Sequence, residues 1–566
     1  MAHHAPNRLT EADDTVLGNR AWPWFSALLI LGAASVGLAL LISLFTPGGL
    51  QRFGFSYLTA YAFVFALTLG SLFFVLITHL FRAGWCVVVR RIAEAYSRNW
   101  GLMAILFVPI AVSVLSWSGT IYPWAQEFDD HAAETYEAAA RSSGSLVVDP
   151  HGEAGEAPGE LAMEAAAADS FDHGHSDVGP EGSGASGTPL HQEAGHAGGD
   201  RDGVLHPGGH DAHAAPGVAA SHAEGHDEHH AAAGYTGDTW ADHDHAIAYF
   251  VGTKWPWFEL PFWSARWVLY FGLLAGIAYF YHRLSVRQDR TADPELTNRR
   301  EWWAPLSIIA FAVLTMLVAT DLLLGLDPVW FSTMFGVIYF TNGITAALCV
   351  LILSINFLHS RGLLKAANTE HQHDLSKLLF AFVFFWGYTA FSQFMLIWYA
   401  SLPETTYWFE MRGITGRAIG DEITDAASTA WSGWTWYSIF LLLGHLFFPF
   451  AVLLSRHVKR NFAARTFMAG WMLTMVYADM YWIVMPHYSS PDLTVLPTEL
   501  LLAFGLLCFT VAGALRTLAK HTLIAKGDPR LHESLALDTE VWAPIYPKPA
   551  VEPKAEPGST GHPTMA

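Results

Sequence analysis

Ten long apolar segments, separated by polar loops, dominate the hydropathy pattern of this 566-residue chain. Each is roughly 20 residues long, the length that a helix needs to cross the hydrocarbon core of a bilayer. Trp and Tyr cluster at many segment ends, as they do at membrane interfaces. The pattern predicts an all-α polytopic membrane protein with ten transmembrane helices. We call them spans 1–10, at about 22–45, 57–81, 101–118, 262–282, 304–325, 334–357, 377–400, 435–455, 466–486 and 497–519.

The composition favours the same class and excludes others. The chain is 52% hydrophobic and only 14% charged, whereas soluble domains carry about a quarter charged residues. Basic residues lie in short loops and form no extended stripe, which argues against nucleic-acid binding. The three cysteines, Cys86, Cys349 and Cys508, are isolated. We therefore expect no iron–sulfur cluster and no c-type haem on this chain.

The number of Lys and Arg residues alternates between high and low from one loop to the next. The loops after spans 2, 4, 6 and 8 carry four, five, three (with Lys377 at the start of span 7) and four of these residues. The loops after spans 1, 3, 5, 7 and 9 carry one, three, none, two and none. The positive-inside rule then places both termini in the cytoplasm. The predicted organisation is a cytoplasmic tail (1–21), spans 1–3 (22–118), a periplasmic insertion (119–261), spans 4–10 (262–519) and a cytoplasmic tail (520–566).

The insertion is rich in His, Asp, Glu, Ala and Gly, and 15 of the 28 histidines lie in it. The candidate ligands for Zn²⁺, Cu²⁺ or Ni²⁺ are His226, His229, His230, His243 and His245. No fixed ligand spacing repeats, and such a composition buries little apolar surface. A largely disordered, solvated loop is therefore the favoured interpretation.

Three ionisable residues within apolar spans are the candidates for function, because a charge there is costly. Asp321 lies about one turn inside span 5. His445 in span 8 and Asp479 in span 9 fall at similar depth on antiparallel neighbours, and Pro449 removes the helical donor for the His445 carbonyl. A carboxylate beside an imidazole can pass protons or bind a quinone carbonyl. The alternative is a satisfied buried pair that fixes helix register.

Other polar residues near these spans fall into two groups. Gln393, Tyr477 and Tyr481 extend the candidate proton path or quinone pocket. Asp327 precedes a proline and is expected to form a turn. Glu499 follows a proline at the start of span 10, where a carboxylate favours the helix N-terminus.

Five stretches also carry a family resemblance. They are 61–99, 320–336, 374–404, 444–461 and 479–486, and they include GHLFFPFAVLLSRHVKRN and DMYWIVMP. Together they resemble ActF-type membrane subunits of alternative complex III, in the wider NrfD-like (polysulfide-reductase membrane subunit) group. Two features depart from that pattern. One is the His-rich insertion, and the other is Val329, where the pattern Asp-Pro-His-Trp has its histidine.

The resemblance implies a fold and a function. The fold is two four-helix bundles, spans 2–5 and 6–9, with spans 1 and 10 peripheral. The function is that of a membrane subunit of a quinol-oxidising respiratory complex in the bacterial inner membrane. It would supply a proton path or quinone pocket and would not be catalytic alone. The haem c groups and iron–sulfur clusters would belong to partners: a multihaem cytochrome, an iron–sulfur subunit and an ActC-like membrane subunit, with a terminal oxidase as a further partner.

Two other functions stay open. One is a purely structural membrane anchor of the same complex. The other is a stand-alone ion or solute transporter, whose two halves often contain matching broken helices. Here only Pro109 and Pro449 interrupt spans, at positions that do not correspond. That mismatch favours the respiratory subunit.

Overall fold

The computed structural model describes residues 15–116, 119–125, 251, 254–414, 432–489 and 493–537. Across these ranges the regular structure is helical, with one isolated β-bridge between Val16 and Thr522. Ten helical segments are long and apolar enough to cross a membrane, one for each predicted span. They are Gly18–Phe45, Gly49–Leu80, Val87–Leu115, Leu260–Thr291, Glu295–Leu326, Phe335–Ser360, Thr369–Ala400, Gly433–Leu454, Phe462–Tyr488 and Pro497–Ala519. The chain is an all-α polytopic membrane protein, as predicted.

Several spans extend beyond their predicted ends because charged residues find buried partners. Span 2 begins eight residues early, at Gly49 rather than 57, and includes Arg52, whose Nε lies 2.7 Å from a Glu499 carboxylate oxygen. The segment before span 3, predicted as a basic loop, is the helix Val87–Ser97. Its charged side chains are buried in ion pairs, so a local count of charges underestimates how far the helix extends.

The helices pack as two closed rings. Span 2 contacts spans 3 and 5, and span 4 contacts the same two; span 6 contacts spans 7 and 9, and span 8 contacts the same two. Spans 1 and 10 pair with each other and lie against span 2. This is the arrangement of two four-helix bundles and two peripheral helices that the resemblance implied.

The two bundles meet where spans 2 and 6 cross. A Cβ added at Gly70 would overlap the carbonyl of Gly343, and one at Gly343 would lie 2.6 Å from the Ala66 carbonyl oxygen. Close approach of this kind is what small residues permit between membrane helices. Nearby, the Tyr339 hydroxyl donates to the Ala62 carbonyl at 2.9 Å. The crossing therefore joins the bundles backbone to backbone.

The residues after span 10 form a folded segment, although they were predicted as a tail. We call residues 520–537 the C-terminal strap. It binds the segment just before span 1 through the Leu523 amide, which donates to the Thr15 carbonyl at 2.7 Å. It binds the first bundle through an ion pair between Asp528 and Arg90. It reaches the second bundle at Ser534, whose hydroxyl lies 2.9 Å from a His371 ring nitrogen. The strap thus ties together the basic-loop ends of both bundles.

Asp528 is the buried charge of the strap, and we expect its removal to destabilise the protein. Burial alone would raise the pKa of Asp528, but Arg90 and Arg300 outweigh it and hold that pKa below its usual range. Since the folded-state pKa is depressed, the stabilisation is present above pH of about 4 and is lost as the pH falls through the folded value. Asp528→Asn should cost about 1.5–3 kcal/mol at pH 7, the net worth of a hydrogen bond to a charged group.

Thermal unfolding in detergent measures this effect. Lys526→Gln, at an exposed position of the same strap, is the control and should unfold like the wild type. The difference in thermal midpoint between the wild type and Asp528→Asn should become smaller below pH 4. Equal thermal midpoints at pH 7, or a difference in midpoint that grows in acid, would contradict the assigned role of Asp528.

Candidate functional site

The second bundle places one polar or aromatic side chain from each of its four helices in a single layer. Asp479 of span 9 is the acceptor at its centre, and its side chain is buried. Its Oδ2 accepts hydrogen bonds from Asn342 Nδ2 of span 6 at 2.5 Å and from Trp386 Nε1 of span 7 at 2.9 Å. The fourth member, His445 of span 8, stacks on Trp386. We call these four residues the core layer.

His445 and Asp479 are not joined by a hydrogen bond, contrary to the direct pairing that the sequence predicted. The imidazole lies parallel to the Trp386 indole, with ring centroids 3.9 Å apart and planes inclined by 8°. The indole N–H is directed to Asp479. Trp386 therefore links the two residues through two different parts of one ring. Among the residues that the structure describes, neither nitrogen of His445 has a hydrogen-bond partner.

Span 8 contains a π-helical turn, Leu442–Phe447, so the carbonyl that loses its donor to Pro449 is not, as the sequence predicted, that of His445. The amide of Phe448 bonds to the Leu443 carbonyl, five residues back. In that register the missing N–H of Pro449 would leave the Gly444 carbonyl without a donor. Trp471 Nε1 supplies the donor instead, at 2.8 Å from the Gly444 oxygen. Such turns occur often at functional sites, and this one carries His445.

The structure places the other predicted residues of the second bundle apart from the core layer. Tyr477 donates to the Glu499 carbonyl at 2.8 Å, and Tyr481 donates to the Thr494 carbonyl at 3.0 Å. Tyr477 thus contacts span 10, whereas Tyr481 contacts the segment before span 10 and the span 8 residues Trp434 and Tyr437. Gln393 is buried on span 7, seven residues or about 10 Å along the helix from Trp386. Its Nε2 has no partner among the described residues.

Asp321 forms a second polar centre, in the first bundle. Arg266 of span 4 grips its carboxylate with two nitrogens, Nε to Oδ2 at 2.9 Å and Nη2 to Oδ1 at 3.0 Å. The Tyr270 hydroxyl, one turn along span 4, donates to Oδ2 at 2.9 Å. Arg266 also lies over the Trp257 ring, 4.0 Å from its centroid. Asp321 is therefore a paired, oriented carboxylate, which satisfies the requirement that a charge within a span has a partner.

A partly open cavity of about 500 Å³ lies beside Asp321. This volume is typical of small-molecule sites, which are mostly apolar with a few placed polar groups. Asp321, Asp327, Lys254 and Thr320 are the polar side chains of its lining. The rest of the wall is mainly aromatic: Trp124, Trp257, Phe258, Phe262, Trp263, Trp330 and Phe331.

Both ends of the insertion contribute to this wall. Residues 119–125, the first of the predicted disordered segment, pack against the bundle, and the Tyr122 hydroxyl donates to the Leu322 carbonyl at 2.8 Å. The Trp124 ring contacts Phe258 and Trp263, with centroids 5.2 and 6.1 Å apart. The insertion therefore begins and ends as part of the folded protein.

Two structural assignments from the sequence are confirmed. Asp327 Oδ1 accepts from the amides of Val329 and Trp330 at 3.1 and 3.2 Å, which is a side-chain turn of the kind expected before proline. Glu499 caps span 10, where its Oε2 accepts from the Leu496 amide at 2.7 Å. Its other oxygen holds Arg52.

Sequence reasoning missed three residues of these centres, Arg266, Tyr270 and Trp386. Arg266 is a charge within the first turns of span 4, four residues before Tyr270 and therefore on the same helix face. That spacing was a usable signal. The sequence contained no such signal for Trp386, because an isolated Trp in an apolar span resembles any other packed aromatic residue. The histidines considered as metal ligands lie outside the described residues. Within those residues, no three His, Cys, Asp or Glu side chains are grouped to hold a metal ion.

The comparisons with known proteins add no family to this geometry. No protein-family model matches the chain, and no curated protein matches it significantly.

Proposed function

We propose that the chain is a membrane subunit of a bacterial respiratory quinol:acceptor oxidoreductase of the alternative complex III type. The observation that carries the proposal is the aromatic cavity beside the Asp321–Arg266 pair. An aromatic wall suits a planar quinone ring by stacking, and a single oriented carboxylate suits a quinol hydroxyl. The ActF-like stretches, of which residues 320–336 form part of this cavity, support the same function.

The chemistry proposed for the cavity is quinol binding and proton acceptance. A quinol hydroxyl beside Asp321 would donate a hydrogen bond to the carboxylate and then its proton. Arg266 and Tyr270 would hold the carboxylate in position, while the second quinol proton leaves to water at the cavity mouth. The two electrons would pass to redox groups of a multihaem cytochrome or an iron–sulfur subunit. Both protons would be released in the cavity of this chain, whereas the electrons would be accepted by its partners.

The core layer would serve the same complex as a proton-carrying site. Its buried carboxylate and imidazole lie in the second bundle, whereas the cavity lies in the first. An ActC-like subunit and a terminal oxidase complete the proposed assembly in the bacterial inner membrane. Both termini would be cytoplasmic and the insertion periplasmic, as the loop charges predict.

Photolabelling of the purified complex with an azido-quinone tests the proposal. After purification in mild detergent, haem and iron–sulfur proteins should accompany the chain. The label should fall on peptides from the cavity wall, between 254 and 263 or between 324 and 331, and excess unlabelled quinone should suppress it. Asp321→Asn should weaken the labelling several-fold. Thr315→Val, at a buried position of the same span outside the cavity, should not.

The same experiment separates the alternatives. A chain that purifies without redox partners and takes no label would favour the transporter. A chain that purifies with those partners but takes no label would leave the structural anchor.

A further inference from the structure

The core layer contains buried polar atoms that the described protein does not satisfy. His445 and Asn342 are both fully buried. Among the described residues, no hydrogen-bond partner is found for either ring nitrogen of His445 or for the side-chain oxygen of Asn342. A buried donor or acceptor without a partner costs about 1–3 kcal/mol. Native proteins relieve this cost with an ordered internal water that makes two to four hydrogen bonds.

His371 provides the contrast within the same chain. It is as deeply buried as His445, yet both of its ring nitrogens are bonded. Nδ1 lies 2.7 Å from the Asn368 side-chain oxygen, and Nε2 lies 2.9 Å from the Ser534 hydroxyl. Among the buried histidines that the structure describes, His79 and His282 each leave one ring nitrogen without a hydrogen-bond partner, and His445 alone leaves both.

From these observations we infer that His445 is the ligand of a bound water molecule in the interior of the second bundle. A ring nitrogen makes its hydrogen bonds in the plane of the imidazole. Trp386 covers one face of that plane, at a centroid distance of 3.9 Å. The water must therefore lie at the imidazole edge, beside the indole and not between the two rings. The π-helical turn, which widens the helix at His445, gives the edge of the ring a place to be hydrated.

The position of the water defines a role for Trp386. Its indole N–H is already given to Asp479, so it is not a donor to the water on His445. A proton on that water reaches Asp479 only around the edge of the indole or after the indole has turned. Trp386 is thus a positioning residue that keeps two protonatable groups of the core layer apart. This water site is a property of the chain alone, so its failure would leave the proposed quinol cavity untouched.

X-ray radiolytic footprinting of the full-length protein in detergent tests the site. Hydroxyl radicals made from a bound water oxidise the side chain that holds it, even when bulk solvent is excluded. We expect His445 to be oxidised several-fold faster than His371. Equal, background-level oxidation of the two histidines would overturn the inference.

Trp386→Phe removes the remaining ambiguity, since oxidation could otherwise pass to His445 from the stacked indole. Phenylalanine keeps an aromatic face on the imidazole but is far less easily oxidised. With a water on His445, oxidation of this residue persists in the variant at close to the wild-type rate. Its fall to the His371 level would show that the indole, not a water, was the source.

Discussion

Gly70→Ala should abolish the accumulation of folded protein. Span 2 and span 6 touch through their backbones at this point, and the added methyl group would overlap the carbonyl of Gly343. A side chain could rotate away from such a clash, but a carbonyl within a helix cannot move without shifting the helix. Overpacking of a core commonly costs 1–3 kcal/mol, and here we expect about 3 kcal/mol or more. Fluorescence-detected size-exclusion chromatography should show a small monodisperse peak or none.

The matched control is Gly272→Ala, in span 4. A Cβ there meets nothing within 4 Å, so the substitution adds the same methyl group without a clash. It should give a wild-type peak and a slightly higher thermal midpoint, because alanine favours the helix. Wild-type behaviour of Gly70→Ala would mean that the two bundles do not meet at this crossing.

Arg266→Leu should be strongly destabilising. Leucine would leave the Asp321 carboxylate buried in the first bundle without a cation, although the Tyr270 hydroxyl would still donate to it. Breaking a buried ion pair from one side costs about 3–5 kcal/mol, because the remaining charge is uncompensated. The measurement is the thermal midpoint in detergent, with photolabelling of the cavity as a second readout.

The double variant Arg266→Leu/Asp321→Leu decides whether charge is the cause. Replacing a buried pair by apolar residues is often nearly neutral, so the double variant should regain most of the midpoint lost by the single one. Its photolabelling should stay weak, since Asp321, the residue proposed to bind the quinol hydroxyl, has been replaced. Arg283→Leu, an exposed arginine on the same span, should change neither readout. A double variant that is less stable than Arg266→Leu would contradict this account.

The ten spans could be predicted because hydropathy over 20 residues is a local property of the sequence. The pairing of charges is not local. Arg52 and Glu499, for example, are separated by 447 positions in the sequence, and the apolar pattern alone gave no reason to extend span 2 through an arginine. The C-terminal strap was missed for the same reason, as its contacts lie on spans 3, 4, 5 and 7 and on the segment before span 1.

The candidate site could be predicted only in part. A charged residue within a span is visible in the sequence, which is how Asp321, His445 and Asp479 were found. The side chains that these residues contact depend on how the helices rotate about their axes. Tyr477 and Tyr481 are close to Asp479 in sequence but donate to carbonyls of span 10 and of the segment before it. Trp386 lies 93 positions from Asp479, yet donates to it.

The insertion leaves and rejoins the first bundle at one place, where the Trp124 ring meets Phe258. The ends of the intervening chain are therefore fixed relative to each other, whatever its length. For a flexible loop, doubling the length adds only about 0.6 kcal/mol of closure entropy. The fold of the spans therefore places little restraint on the number of residues between these two ends. Residues can be gained or lost there over evolutionary time while the aromatic wall of the cavity stays intact.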